Sequence, residues 1–184
     1  MFARQAISRG ASPWTGTFLA NLWLGLSWLS VELSQPGMLP LAGWWQAALV
    51  GFSFVLGQLF TYLAFRYGDV SVATPVFGVK VIIVAGLLAW LAGEQISGRV
   101  WLGAILATLG VGVIQAGARS AESAELTTRR AVLTIVPALL AAVSLSLFDA
   151  GLQIWGKRWG AALFLPPMFI STGILSGVFL PWID

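Results

Sequence analysis

Long apolar stretches separated by short polar segments make up the chain. A hydrocarbon core of about 30 Å needs roughly 20 helical residues at 1.5 Å each to cross it. None of the stretches alternates polar and apolar residues as outer-membrane strands do, and helices satisfy their own backbone hydrogen bonds in lipid. We therefore predict an all-α polytopic membrane protein with about six transmembrane helices, over residues 14–31, 43–65, 71–93, 100–118, 131–152 and 162–182.

The tryptophans give an independent check on these boundaries. Of the 10 tryptophans, all but Trp23 lie near the predicted span ends, where an amphipathic indole prefers the headgroup region. A signal peptide is the alternative for the first stretch, because Arg4 and Arg9 precede it. No small-residue cleavage site follows at residues 30–34, and further spans come after it, so we favour a transmembrane helix.

Composition agrees with a bilayer as the solvent. Hydrophobic residues make up 58% of the 184 and charged residues only 9%, whereas about 25% of a soluble domain is charged. The chain has no Cys and no His, which removes disulfides, the usual zinc ligands and the commonest general base. We expect no metal and no cofactor. The formal charge of +3 comes from a few basic residues between apolar runs, so no nucleic-acid partner is expected.

Three glycines of the fourth predicted span, Gly103, Gly110 and Gly117, are seven residues apart and share one helical stripe. Small residues let helix backbones approach closely in a membrane. The stripe therefore predicts helix packing, either within one bundle or between two copies of the chain.

Two charged residues, Lys80 and Asp149, lie well inside apolar stretches. A charge at the centre of a bilayer costs about 2.5–3.5 kcal/mol on insertion scales, so each is a candidate functional residue. For Lys80 there is an alternative. Pro75 suits a first helical turn with Thr74 as its cap, which leaves the ammonium close enough to the interface to reach it by snorkelling.

Other polar residues recur at helical spacing. Ser146, Asp149 and Gln153 are three and four residues apart, so they form a polar stripe on one face of the fifth predicted span. The stripe indicates an aqueous binding cavity or hydrogen bonding between helices. Weaker candidates for lining the same kind of cavity are Asn21, Gln58 and Tyr62.

A recurring order of motifs covers residues 56–114. A Gly68-Asp69-Val70-Ser71 turn follows one span, Pro75 opens the next, and Gly93-Glu94 closes it, before Trp101-Leu102-Gly103 and Gly110-Val111. This combination resembles the second half of an EamA-type repeat of the drug/metabolite transporter superfamily.

The resemblance implies a carrier of two inverted five-helix repeats that binds its substrate near the midplane between them. On this template residues 1–118 form the first repeat without most of its first helix, residues 119–130 the inter-repeat loop, and residues 131–184 the first two helices of the second repeat. We therefore expect part of a ten-helix fold, truncated at both ends. An incomplete gene would account for this, and so would a homodimer in which a second copy closes the cavity.

We accordingly predict a multi-pass secondary transporter of the inner or plasma membrane, with the lipid bilayer and a small metabolite or drug-like solute as its partners. Lys80 would attract an anionic group, and Asp149 would carry a proton or a cation. A lipid-acting enzyme would depend on Asp149, Glu32 or Glu94, and no two carboxylates within a span lie one helical turn apart. We therefore predict no enzyme, while a non-transporting membrane subunit stays open.

Overall fold

The protein is described by a computed structural model over residues 13–34, 37–67, 78–93, 95–119 and 128–183. Every regular element within these ranges is an α-helix. In chain order they are α1 (Pro13–Ser34), α2 (Leu41–Tyr67), α3 (Lys80–Leu91), α4 (Gly98–Arg119), α5 (Thr128–Trp159) and α6 (Ala161–Ile183). The predicted all-α fold is confirmed for this part of the chain.

Three of the helices are long and apolar enough to cross a membrane. Their spans are Leu41–Arg66, Val132–Trp159 and Ala161–Phe179. The helix α1 has 22 residues but is not among these spans, and α3 and the apolar part of α4, Gly98–Gly110, are shorter. Thr74 and Pro75, which were expected to start the third span, lie outside the described residues. The protein is a multi-pass membrane protein.

The chain divides into two compact units. Unit 1 comprises Met1–Val55 and Gly151–Asp184, and unit 2 comprises Leu56–Ala150. The boundaries fall inside α2 and α5, so each of these helices contributes to both units.

In unit 1, glycines bring α1 and α2 against α6. A Cβ on Gly25 would lie 3.1 Å from the carbonyl oxygen of Phe169, and one on Gly51 would lie 2.9 Å from that of Met168. Next to the first of these contacts, Trp28 stacks on Phe169 with ring centroids 5.6 Å apart. Because lipid is as apolar as leucine, such close packing of small residues is what holds helices together in a membrane.

In unit 2, α3 packs against α4, and α2 packs against α5. Ala85 and Leu88 form the buried face of α3, and Ala104 is buried on α4. The α3 helix stops at Leu91, and Gly93 takes the left-handed conformation with φ 63°, which glycine adopts without the strain of a side chain.

The glycine stripe of α4 lies on an exposed face. Gly103 and Gly110 are exposed, and a Cβ at either position would meet no atom within 4 Å. The surroundings of Gly117 lie outside the described residues. Within the described part of the chain, therefore, no helix packs against this stripe, and its role in helix packing stays a prediction.

Candidate functional site

The two charged residues that the sequence places inside apolar stretches form an ion pair in unit 2. The Nζ of Lys80 lies 2.7 Å from Oδ2 of Asp149. The side chains are 31% and 36% exposed, so neither charge is sealed in an apolar interior. The sequence predicted each residue separately as a candidate, and the structure shows that the two are in contact.

Helix geometry brings these two groups to the same place. Lys80 is the first residue of α3, and helical side chains lean toward the N-terminus, so its ammonium extends beyond the start of the helix. Asp149 lies well inside the apolar span Val132–Trp159 of α5. An isolated carboxylate there would be costly, and the ammonium supplies the opposite charge that offsets this cost.

Two hydroxyl groups hold the start of α3. Ser146 Oγ, which is fully buried, lies 2.6 Å from the carbonyl oxygen of Ala142 and 3.2 Å from that of Lys80. Thr108 Oγ1 lies 3.0 Å from the carbonyl oxygen of Gly78, just before the helix. The α5 helix therefore contacts Lys80 twice, through Ser146 at its backbone and through Asp149 at its ammonium.

The Lys80 ammonium determines the charge on its side of the site. It supplies the opposite charge for the Asp149 carboxylate. The same ammonium would attract an anionic group of a solute if Asp149 moved away.

Comparison with known families assigns the chain to one of them. A family model described as the EamA-like transporter family matches residues 1–116. The chain belongs to this family. The comparisons with curated proteins and with solved structures give no match.

Membership of the EamA-like family confirms the resemblance drawn from residues 56–114. It assigns the chain to the drug/metabolite transporters, whose members reside in the lipid bilayer and move small solutes, and it points to a transporter rather than an enzyme. The matched segment contains Lys80, whereas Asp149 lies beyond it. The candidate site of this EamA-like protein therefore combines a residue of the matched segment with one from the following part of the chain.

The weaker candidates of this EamA-like protein lie elsewhere along its helices. On α2, Gln58 is half-buried, and the Tyr62 hydroxyl accepts a 2.7 Å hydrogen bond from Nη1 of Arg66. Asn21 on α1 is buried and Gln153 on α5 is half-buried, and both belong to unit 1. The described ion pair joins Lys80 and Asp149, and the binding roles of all six candidates stay predictions.

Glu32 was expected at the start of a loop and was named only as a candidate residue of the enzyme alternative. The α1 helix instead continues to Ser34. Both carboxylate oxygens of Glu32 are inaccessible to solvent and have no hydrogen-bond partner among the described residues. The spacing along the sequence could have predicted this burial. Glu32 lies four residues after Trp28 and seven after Gly25, and therefore on the face of α1 that packs against α6.

Proposed function

We propose that the protein moves a small metabolite or drug-like solute across the membrane by alternating access, and that the Lys80–Asp149 pair is its charged binding position. The observation that carries the proposal is this 2.7 Å ion pair between two helices of an EamA-like protein. Ionisable residues within membrane helices usually pair with one another or line a solute pathway. The two side chains are paired, and about one-third of each is exposed, which supports a place where a solute can reach them.

The pair offers two binding functions of opposite sign. The Lys80 ammonium attracts an anionic group, and the Asp149 carboxylate takes a proton or a cation. While the ion pair is intact, each group is occupied by the other. A charged solute therefore replaces one partner, and the cost of separating the pair is offset by the new contact.

Separation of the Lys80–Asp149 pair could accompany the change between the two states of alternating access, because the two residues fall in different proposed repeats. In the proposed division of the chain, Lys80 belongs to the first repeat, residues 1–118, and Asp149 to the second, residues 131–184. Carriers built from inverted repeats bind their substrates between the repeats, near the midplane. We therefore expect the pair to be closed in one state of the transport cycle and separated in the other.

Solute flux into vesicles tests this proposal. The purified protein is reconstituted in phospholipid vesicles and supplied with a panel of labelled amino acids, nucleosides and organic cations. We expect at least one compound to enter faster than into protein-free vesicles. We expect Lys80→Gln and Asp149→Asn to reduce that rate by more than tenfold, with the helical content of the protein unchanged.

The exposed residue Arg99, in the first turn of α4, provides a matched control. Arg99→Gln also removes one basic charge, and the rate should stay within about twofold of the unsubstituted protein. Entry of no compound from the panel argues against transport by this chain. Equal rates for all three variants and the unsubstituted protein would leave transport standing and remove the ion pair from the binding position.

A further inference from the structure

The junction between α5 and α6 carries an exposed basic pair. Lys157 and Arg158 lie in the last turn of α5 and are both exposed. The chain then reverses at Gly160, with φ 84°, and α6 begins at Ala161. Two helices capable of crossing the membrane end and begin at this junction. The basic pair therefore lies at the level where the membrane meets water.

The Arg158 guanidinium rests on an indole that is itself held in place. It lies 5.2 Å from the ring centroid of Trp159, within the range of a cation–π contact. The Trp159 indole N–H donates a 2.7 Å hydrogen bond to Oε1 of Gln46 on α2. Gln46 is buried, at 7% exposure, so the acceptor is fixed in the interior of unit 1 and orients the ring beneath Arg158.

A second pair of tryptophans extends this aromatic surface. Trp45, next to Gln46 in the chain, meets Trp155 edge to face, with ring centroids 5.7 Å apart. Trp155 lies one helical turn before Trp159 on α5, and Trp45 is 58% exposed. Indoles concentrate at the headgroup level of a bilayer, where one edge is apolar and the other reaches water.

Arg158 gives this junction a guanidinium that no described carboxylate neutralises. Among the described residues, Arg158 forms no ion pair with a carboxylate, and the first turn of α6 contains no acidic residue. A basic pair at a helix end that faces the interface attracts anionic lipid. A guanidinium is particularly suited to phosphate, because its planar fork can donate two parallel hydrogen bonds.

We propose that the α5–α6 junction is a binding site for an anionic phospholipid of the bilayer. Arg158 and Lys157 bind the lipid phosphate, while Trp45, Trp155 and Trp159 pack beside the glycerol region. A zwitterionic phospholipid presents the same phosphate with a compensating ammonium, so it binds more weakly. This site is separate from the Lys80–Asp149 pair and does not depend on the transport proposal.

Native mass spectrometry of the full chain in detergent tests the site. The purified protein is mixed with equal amounts of phosphatidylglycerol and phosphatidylcholine, and the ratio of the two bound lipids is measured. We expect a preference for phosphatidylglycerol that survives a large excess of inorganic phosphate. Each basic side chain near an anionic surface contributes about fivefold, so the double variant Lys157→Gln/Arg158→Gln should lose about 30-fold of that preference.

The other end of α5 provides a matched control, because Arg129 and Arg130 are also an adjacent basic pair. Arg129→Gln/Arg130→Gln should keep the preference within about threefold. An equal loss in both double variants would show that general charge attracts the lipid, which overturns the proposal. Displacement by inorganic phosphate alone would also overturn it. If the Lys157/Arg158 double variant does not fold, the single variant Arg158→Gln, with its expected loss of about fivefold, decides the question.

Discussion

A double-mutant cycle on the ion pair measures how strongly Lys80 and Asp149 interact. The cycle uses Lys80→Met, Asp149→Asn and the double variant, which keep the side-chain sizes roughly constant. Each single change leaves one charge without its partner inside a predicted span. The double change removes both charges. We therefore expect the double variant to be less destabilised than the sum of the two single variants.

The magnitude follows from the distance and the exposure. At 2.7 Å, two unit charges attract by about 6 kcal/mol at an effective dielectric constant of about 20, and by about 1.5 kcal/mol in bulk water. With side chains 31% and 36% exposed, the pair lies between these limits and loses part of the attraction to desolvation. We expect each single variant to lower the free energy of unfolding by about 2 kcal/mol, with a coupling energy of about 1–2 kcal/mol.

Unfolding in mild detergent, followed by the fluorescence of the 10 tryptophans, gives the four free energies that the cycle needs. The control is Arg99→Met, which removes an exposed cation at the start of α4 and should change the free energy of unfolding by less than about 0.5 kcal/mol. A coupling energy below about 0.3 kcal/mol, the scatter expected for independent sites, would falsify the ion pair as an energetic contact.

Four further changes, at Gly51, Gly103, Glu32 and Gln46, test the described packing by thermal unfolding. Gly51→Ala should lower stability by about 1–3 kcal/mol because its Cβ would lie 2.9 Å from a backbone carbonyl oxygen. Gly103→Ala, with no atom within 4 Å of its Cβ, should raise stability by about 0.5–1 kcal/mol. If both glycine substitutions raised stability, or both lowered it, the described packing would be contradicted. Glu32→Met should raise stability by about 1–3 kcal/mol because it removes buried carboxylate oxygens that have no partner among the described residues; a lower melting temperature would count against that burial. Gln46→Leu should lower stability by about 1–2 kcal/mol because it removes the hydrogen bond from Trp159. In a protein that already carries Trp159→Phe, Gln46→Leu should have no further effect. An equal loss of stability in both backgrounds would exclude the bond.

Helix number and membrane location could be predicted from the chain because both follow from composition and run length. Apolar stretches near the length of a bilayer have few structural alternatives, since lipid does not satisfy an open backbone. The described helices follow all six predicted stretches. Their ends were less predictable: α1 continues past residue 31 to Ser34, which turns Glu32 from a loop residue into a helical one with buried oxygens.

Residue pairing across helices could not be predicted in the same way. Lys80 and Asp149 were each identified by their cost in lipid, yet 68 intervening residues separate them, and no spacing rule relates two such helices. Ser146 was assigned with Asp149 to one stripe, but its contact with the backbone of Lys80 depends on how α3 packs against α5. Local periodicity specifies which face a residue occupies, whereas the partner of that face depends on tertiary packing.

The physical cost of the ion pair favours a functional role over a structural one. Replacing a desolvated ion pair by apolar residues of similar size is often neutral or stabilising. The start of α3 is already held through hydroxyl contacts from Thr108 and Ser146, and Gly57 already brings α2 against Leu145 of α5. The pair is therefore not needed to fasten these helices. Its partial exposure leaves both groups within reach of a solute that replaces one partner, although an apolar pair would supply more stability. We therefore expect Lys80→Met/Asp149→Leu to stay folded, and to lose less stability than the two single changes combined, while losing solute flux. Loss of flux in a folded protein is an outcome that a purely structural pair would not produce.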